Sequence, residues 1–301
     1  MNTVLLFGAN GFVGRHVRAA LTAVDLHVVA PRRAECDLSR ASVDQVATLI
    51  RAHRPVAVVN CTGLLTGSDH DMVAAHTLVT ATLVEAVATA APRARLVRLG
   101  SAGEYGVVPS GVAVPETWTA EPVSGYGVSH LAATRLMELA VTAGRLDGVV
   151  LRVFNPIGPG LSSENVLGRA ARLLRAGLAR GASEITLGPL DAYRDFVDVR
   201  DLAHAVAAVV SAPTVPRPVL NIGAGRAVRV RSVIRSLATV AGFTGAIVEA
   251  APDEAGRRSA DVTWMCADIT EIRRLGWHPS YELTDSIKAI WAETRQEVPC
   301  T

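Results

Sequence analysis

A short apolar run, Thr3–Phe7, leads at once into Gly8-Ala9-Asn10-Gly11-Phe12-Val13-Gly14, and the stretch from residue 12 to residue 23 then carries helical spacing with few breakers. No other feature limits the fold so sharply. Glycines at these spacings let a chain leave a strand, turn tightly and enter a helix while its backbone stays open to a close ligand. The helix start presents N–H groups and the positive end of its dipole, the arrangement that accepts a pyrophosphate. Alone, such a triplet arises by chance and serves many tight turns. Its place between a first strand and a first helix points to dinucleotide binding, with Gly8, Asn10, Gly11, Phe12, Val13 and Gly14 as the contacts.

The rest of the chain supports a sheet of this kind. Short β-branched or leucine-rich runs at 4–7, 26–30, 56–59, 96–99 and 149–153 alternate with helical stretches at 12–23, 42–52, 72–90 and 126–143. That rhythm predicts an α/β fold, a Rossmann-type doubly wound parallel sheet with helices on both faces. After Phe154 the turn-rich segment Asn155-Pro156-Ile157-Gly158-Pro159-Gly160 and a helix at 165–178 open a smaller C-terminal substrate-binding lobe. The expected division is a dinucleotide-binding core over 1–154 and a lobe over 155–301, with 196–222 returning to the core.

Composition narrows the partners. The formal net charge is +2 and like charges do not cluster, so nothing resembles the footprint of a nucleic-acid binder. Apolar runs fall short of the roughly 18 residues that suggest a membrane span. The opening lacks a basic leader. Cys36, Cys61, Cys266 and Cys300 form no CxxC pair and no metal-like cluster, which fits reduced thiols and a cytoplasmic setting.

At the end of the second strand an acid would bond ribose hydroxyls and an arginine would accept a 2′-phosphate. This chain has Pro31-Arg32-Arg33 there and no acid until Glu35, which favours NADP(H) over NAD(H) unless both arginines are solvated surface charges. Asp37-Leu38 stands where an adenine contact is expected, or Asp37 caps the helix near Ser42.

Taken together, the glycine turn, Asn60-Cys61-Thr62-Gly63, Ser101-Ala102-Gly103-Glu104-Tyr105-Gly106, Tyr126-Gly127-Val128-Ser129-His130, Arg152-Val153-Phe154-Asn155-Pro156 and Arg194-Asp195-Phe196-Val197-Asp198-Val199 occur in an order that resembles the extended short-chain dehydrogenases. The resemblance spans nearly the whole chain and is greatest to nucleotide-diphosphate 4-keto-6-deoxyhexose reductases, with sugar 4-epimerases next. It implies a nucleotide-sugar substrate and a homodimer formed through a helix bundle. It also implies Cys61, Thr62 and Gly63 beside the cofactor, Ser101 holding the substrate oxygen and Tyr126 exchanging its proton. Glu104, Asn155, Arg194 and, more weakly, Arg257 or Arg258 would contact substrate. Asn155 has the alternative of shaping a turn, and Arg194 that of pairing with Asp195.

Two departures bear on the chemistry. The family's lysine, four residues after the tyrosine, is His130 here, and Lys288 is the only lysine in the chain. A phenol near pKa 10 needs a positive neighbour to act as a base, whereas as an acid it is already protonated at neutral pH. Reduction is therefore the direction least harmed, and His130 either bonds the cofactor ribose, charged only below neutrality, or merely packs. On this reading His130→Ala weakens cofactor binding or rate, and His130→Lys is tolerated. The acid–base pair of the family's 4,6-dehydratases is replaced by Ala102-Gly103, which argues against dehydration. His76 replaces a common asparagine and reads as a site residue or, more often for such a residue, as packing. An epimerase and a noncatalytic dinucleotide sensor stay open beside the reductase.

Overall fold

The computed structural model describes residues 2–251 and 262–294. Its centre is a six-stranded parallel sheet built from β1 (Thr3–Phe7), β2 (His27–Val29), β3 (Ala57–Asn60), β4 (Arg95–Ser101), β5 (Gly148–Val153) and a last strand, Val219–Ile222. That last strand lies beside β5, and the order across the sheet continues through β4, β3 and β1 to β2. The chain moves outward from β1 to β2, then crosses back to β3, so the crevice beyond β1 and β3 is the switch point where α/β sheets take their ligands. The expected Rossmann-type sheet is thus present, with the strand at 219–222 added to its edge.

Alternation along β1 feeds two cores. Val4 and Leu6 pack on one face with Val17, Leu21 and Val206. Leu5 and Phe7 pack on the other with Val46, Ile50, Leu83 and Met137. Both sets are almost wholly excluded from water because a parallel sheet covered by helices buries successive side chains on both sides.

The covering helices begin where the sequence supplies caps. Ser42 and Gln45 form a capping box at the start of Val43–His53, so the capping role weighed for Asp37 belongs to Ser42. Ser68 and Asp71 do the same for a helix that runs from Asp69 to Ala90 through a wider turn at Val73–Leu78. At 22 residues and a mean hydropathy of 1.4 this helix is long and apolar enough to cross a membrane by length and composition, which the sequence reading did not anticipate. Here Val79, Leu83, Val84 and Val87 pack it into the core. Ser124 caps the helix Gly125–Thr142.

The lobe has its own core of Leu167, Leu174, Val233, Ile234, Leu237, Ile287 and Trp291, drawn from the helices Val166–Arg180, Val230–Ala241 and Leu283–Thr294. Strand Tyr193–Asp195 joins it to the sheet region. The buried Asp195 carboxylate accepts the backbone N–H groups of Ala224, Gly225 and Ala267 at 2.7–3.0 Å.

Candidate active site

Register lines up the ends of the strands. Phe7 pairs with Asn60, Asn60 with Arg98, and Ser101 with Val153, so the glycine turn, the Cys61 segment, Ser101 and Phe154 emerge along one edge. At the turn, Gly8 has φ +77°, and a Cβ there would lie 2.7 Å from the Cys61 carbonyl carbon. A Cβ on Gly14 would lie 1.9 Å from the Gly8 carbonyl oxygen, so both glycines are required by close backbone packing. The helix Phe12–Ala23 starts at Gly11 with no side-chain cap and no acid in its first turn, which leaves its N-terminal donors to an anion. This cradle fits a dinucleotide pyrophosphate. Thr62 is fixed beside it, its N–H and hydroxyl both donating to Asn60 Oδ1, while burial pushes the Cys61 thiol up to about 12 and keeps it neutral.

At the rim Arg32 pairs with Glu35 and Arg33 with Asp37, each at 3.0 Å and largely in solvent. The Asp37 carboxylate also accepts the Ser39 N–H and hydroxyl, which holds it to about 2. Leu38 is buried in the core with Val46 and Ile50, so the expected Asp37-Leu38 contact has its carboxylate occupied and its apolar side chain turned inward.

Ser101 and Tyr126 lie side by side about Gly103: the serine hydroxyl accepts the Gly103 N–H at 3.0 Å and stands close enough to the phenol to act on it. A Cβ on Gly103 would lie 3.3 Å from Ser101 Oγ and 3.5 Å from the Tyr126 ring, so position 103 faces the reacting groups and places no acid or base there. Burial raises the Tyr126 phenol, and the Ser101 hydrogen bond and the charge of Arg98 pull it back.

Beneath the phenol lies a polar knot that the sequence did not reveal. Tyr126, His130 and Thr134 follow one stripe of their helix, and His76 and Thr80 follow the facing stripe of another. The His130 ring packs 4.5 Å from Tyr126 and 4.0 Å from His76, measured between ring centres. Arg98, projecting from β4 and 3% exposed, fills the space between the helices. It donates from Nε to Thr80 Oγ1 at 2.9 Å, from Nη1 to Thr134 Oγ1 at 3.4 Å and from Nη2 to His130 Nδ1 at 3.0 Å.

Because a guanidinium only donates, His130 Nδ1 is an acceptor and the ring hydrogen sits on Nε2. His76 is set the opposite way. Its Nε2 accepts the Leu64 N–H, its Nδ1–H donates to Ser129 Oγ at 2.9 Å, and Ser129 in turn donates to the Tyr126 carbonyl. Burial and the Arg98 charge lower His76 to about 4, and burial, Arg98 and His76 lower His130 well below its ordinary value. His130 is consequently neutral on both sides of neutrality, which corrects the expectation of a charge that appears just below pH 7. His130→Lys would set an ammonium against Arg98, which also corrects the expectation that this change is tolerated.

Other predicted contacts move. Glu104 has no exposure at all; it accepts the Ser101 N–H and pairs with Arg152 at 2.8 Å, so it supports the Ser101 turn and does not reach a substrate. Asn155 adopts φ +28° and its amide donates to the Asp195 carbonyl at 3.0 Å, as a turn clamp would. Arg194 is not paired with Asp195. It is half-buried, donates to the Tyr193 carbonyl and has no carboxylate partner among the described residues. Arg257 and Arg258 lie outside the described residues. The signal that could have found Arg98 is its setting, a charge inside Leu96-Val97-Arg98-Leu99, where a central strand otherwise excludes charge.

Comparison with known proteins agrees with this geometry. Residues 4–223 match the model of the NAD dependent epimerase/dehydratase family. The dTDP-6-deoxy-L-talose 4-dehydrogenase (NAD(P)(+)) of Kitasatospora kifunensis is 37% identical over 303 residues, covering 96% of this chain and 94% of that protein. The GDP-6-deoxy-D-mannose reductase of Pseudomonas aeruginosa is 28% identical, covering 97% and 96%. Among solved structures, RMD from Pseudomonas aeruginosa complexed with NADPH superposes with a TM-score of 0.83 at 24% identity over 99% of this chain and all of that one, a likeness of fold. The Thermus thermophilus UDP-glucose 4-epimerase complex with NAD gives 0.83 at 25% identity over 98% of this chain. With a glycine cradle, a serine–tyrosine pair at the strand ends and these matches, the chain belongs to the NAD dependent epimerase/dehydratase family.

Proposed function

We propose that this protein reduces the 4-keto group of a nucleotide-linked 6-deoxyhexose with NADPH, a reaction that runs backwards as the oxidation of the corresponding 4-hydroxyl. The observation that carries the proposal is the Ser101–Tyr126 hydroxyl pair at the sheet edge beside the glycine cradle. The 37% identical relative is named as a 4-dehydrogenase of a dTDP-6-deoxyhexose, and the 28% identical one as a GDP-6-deoxyhexose reductase. Both names pair a nucleotide-linked 6-deoxyhexose with a redox change.

When bound, the nicotinamide supplies or accepts the hydride. The Gly8 to Gly14 turn would hold its pyrophosphate, Cys61-Thr62-Gly63 would line its nicotinamide half, and Arg32 and Arg33 would exchange their carboxylates for a 2′-phosphate. Ser101 donates a hydrogen bond to the sugar carbonyl oxygen, and Tyr126 passes its phenolic proton to that oxygen as negative charge develops. A phenol raised by burial is a full proton donor at neutral pH, which suits the reductive direction. His130, whose Nδ1 accepts from Arg98, would offer its Nε2–H to the cofactor ribose as the neutral successor of the family lysine. Arg194, half-buried and without a carboxylate partner among the described residues, would meet the sugar-nucleotide phosphates, with Asn155 shaping the turn at the Asp195 carbonyl. We assign the protein to the cytoplasm and expect a homodimer, supported by exposed Leu78, Val128 and Leu139 on the two helices beside the site.

The test is to offer dTDP- and GDP-linked 4-keto-6-deoxyhexoses and follow the nicotinamide absorbance. Consumption of NADPH that Tyr126→Phe abolishes supports the reductase. Cofactor binding without turnover of any sugar points to a sensor and overturns it, as does sugar inversion with no net change in the nicotinamide, which identifies an epimerase.

A further inference from the structure

From the packing of Arg98 against His130 we infer that the work of one lysine is divided in this protein between two residues: His130 makes the hydrogen bond, and Arg98 beneath it supplies the positive charge that tunes Tyr126. The assignment rests on the reading of Ser101 and Tyr126 as the reacting pair.

The knot itself has no structural need for a charge. Arg98 meets two hydroxyls and an imidazole, all neutral acceptors, so none of its three hydrogen bonds is an ion pair. A guanidinium removed from water with no ion-pair partner in contact is costly to keep. The other charges that face the phenol do not supply this field. Glu104, paired with Arg152 at 2.8 Å, acts on the phenol in the opposite sense, His76 is neutral and wired to Ser129, and Asp69 packs against Gly125 at the helix start. Among the described residues, Arg98 is the cation of the cluster that makes no direct ion pair. The Arg98 hydrogen bond also fixes His130 with Nε2–H turned away from the guanidinium, as the ribose contact requires. Arg98 is therefore a positioning residue, acting through His130 and through its field.

The test reads the phenol directly, without substrate or cofactor. With only four tyrosines in the chain, fluorotyrosine labelling gives few resonances, and Tyr126→Phe identifies that of Tyr126 by its loss. Fluorine also brings phenol ionisation into an accessible pH range. Arg98→Met is expected to raise the Tyr126 midpoint by about one pH unit, the low end for loss of a nearby opposite charge. Arg98→Lys is expected to leave it near the wild-type value. His130→Lys alone, which crowds two cations, is expected to melt lower than wild type, whereas Arg98→Met/His130→Lys relocates the single charge and is expected to restore both melting temperature and midpoint.

An unchanged midpoint in Arg98→Met overturns the inference. If that variant does not fold, the double variant decides, and a folded double variant with a raised midpoint overturns it equally. Should the double variant also fail to fold, Arg98→Lys decides by the same criterion. The sugar assay stands apart: a midpoint that moves in a protein that turns over no sugar keeps the electrostatic assignment and removes the proposed reaction, and turnover with an immobile midpoint does the reverse.

Discussion

Arg98 and the Arg32–Arg33 pair carry the same charge in opposite settings. Arg98 is 3% exposed and bonded only to neutral groups, while the Arg32 and Arg33 side chains are 75% and 81% exposed and each holds a carboxylate. At the rim, water and salt screen the charge, so an arginine there costs little, is worth little to the fold and can trade its carboxylate for a phosphate. In the interior the same group is expensive to keep and its field reaches further. The difference teaches what each setting allows: an arginine at the rim is free to exchange partners, and a buried one acts on the proton affinity of its neighbours.

Four changes would break or sharpen that contrast. Largest should be Glu104→Gln, which leaves Arg152 as an uncompensated interior cation. Loss of about 3–5 kcal/mol in urea unfolding is expected for breaking one half of a buried pair, and a loss no greater than that of a surface change would show that this interior tolerates charge as the rim does.

Next comes acid. His76 and His130 are held below their ordinary value in the folded protein, so between pH 6.5 and the folded value the unfolded chain binds more protons. Their stabilisation is complete above pH 6.5 and is lost as pH falls, by up to about 1.4 kcal/mol per pH unit for each ring. Melting curves from pH 7.5 to 5 should show this slope, and His76→Asn should flatten it; an identical slope in that variant would exclude His76 as its source.

Third, His130→Ala should weaken NADPH binding about tenfold, the equivalent of one lost hydrogen bond to a polar ligand, measured by quenching of protein fluorescence. Unaltered affinity would reduce His130 to packing. The smallest structural effect belongs to Arg32→Ala/Arg33→Ala. Its melting temperature should match wild type, while the KM for NADPH rises about tenfold and that for NADH stays put. Equal changes with both cofactors would remove the 2′-phosphate role.

Much of the sheet was legible because periodicity and turn chemistry are local. The glycine turn and the alternation of strands and helices could be read from neighbouring residues, and Ser101 and Tyr126 stand out in motifs a few residues long. Contacts between distant segments were not. Glu104 stands in a family segment, yet its carboxylate turns inward to Arg152, 48 positions along the chain. Asp37 follows the second strand as expected, yet spends its oxygens on Ser39 and Arg33. The helix from Asp69 to Ala90 was placed close to its true extent, but its sequence says nothing of the two side chains, His76 and Thr80, that it lends to the knot.

The sequence by itself determined the layered α/β fold, the anion cradle and the serine–tyrosine pair, since each follows from short-range spacing and backbone stereochemistry. It also determined that a lysine is missing. Only the tertiary structure decided that the missing charge is close at hand, because Arg98 reaches His130 by lateral packing of a strand against two helices, and the ionisation of each ring depends on burial that emerges only when those elements close on one another.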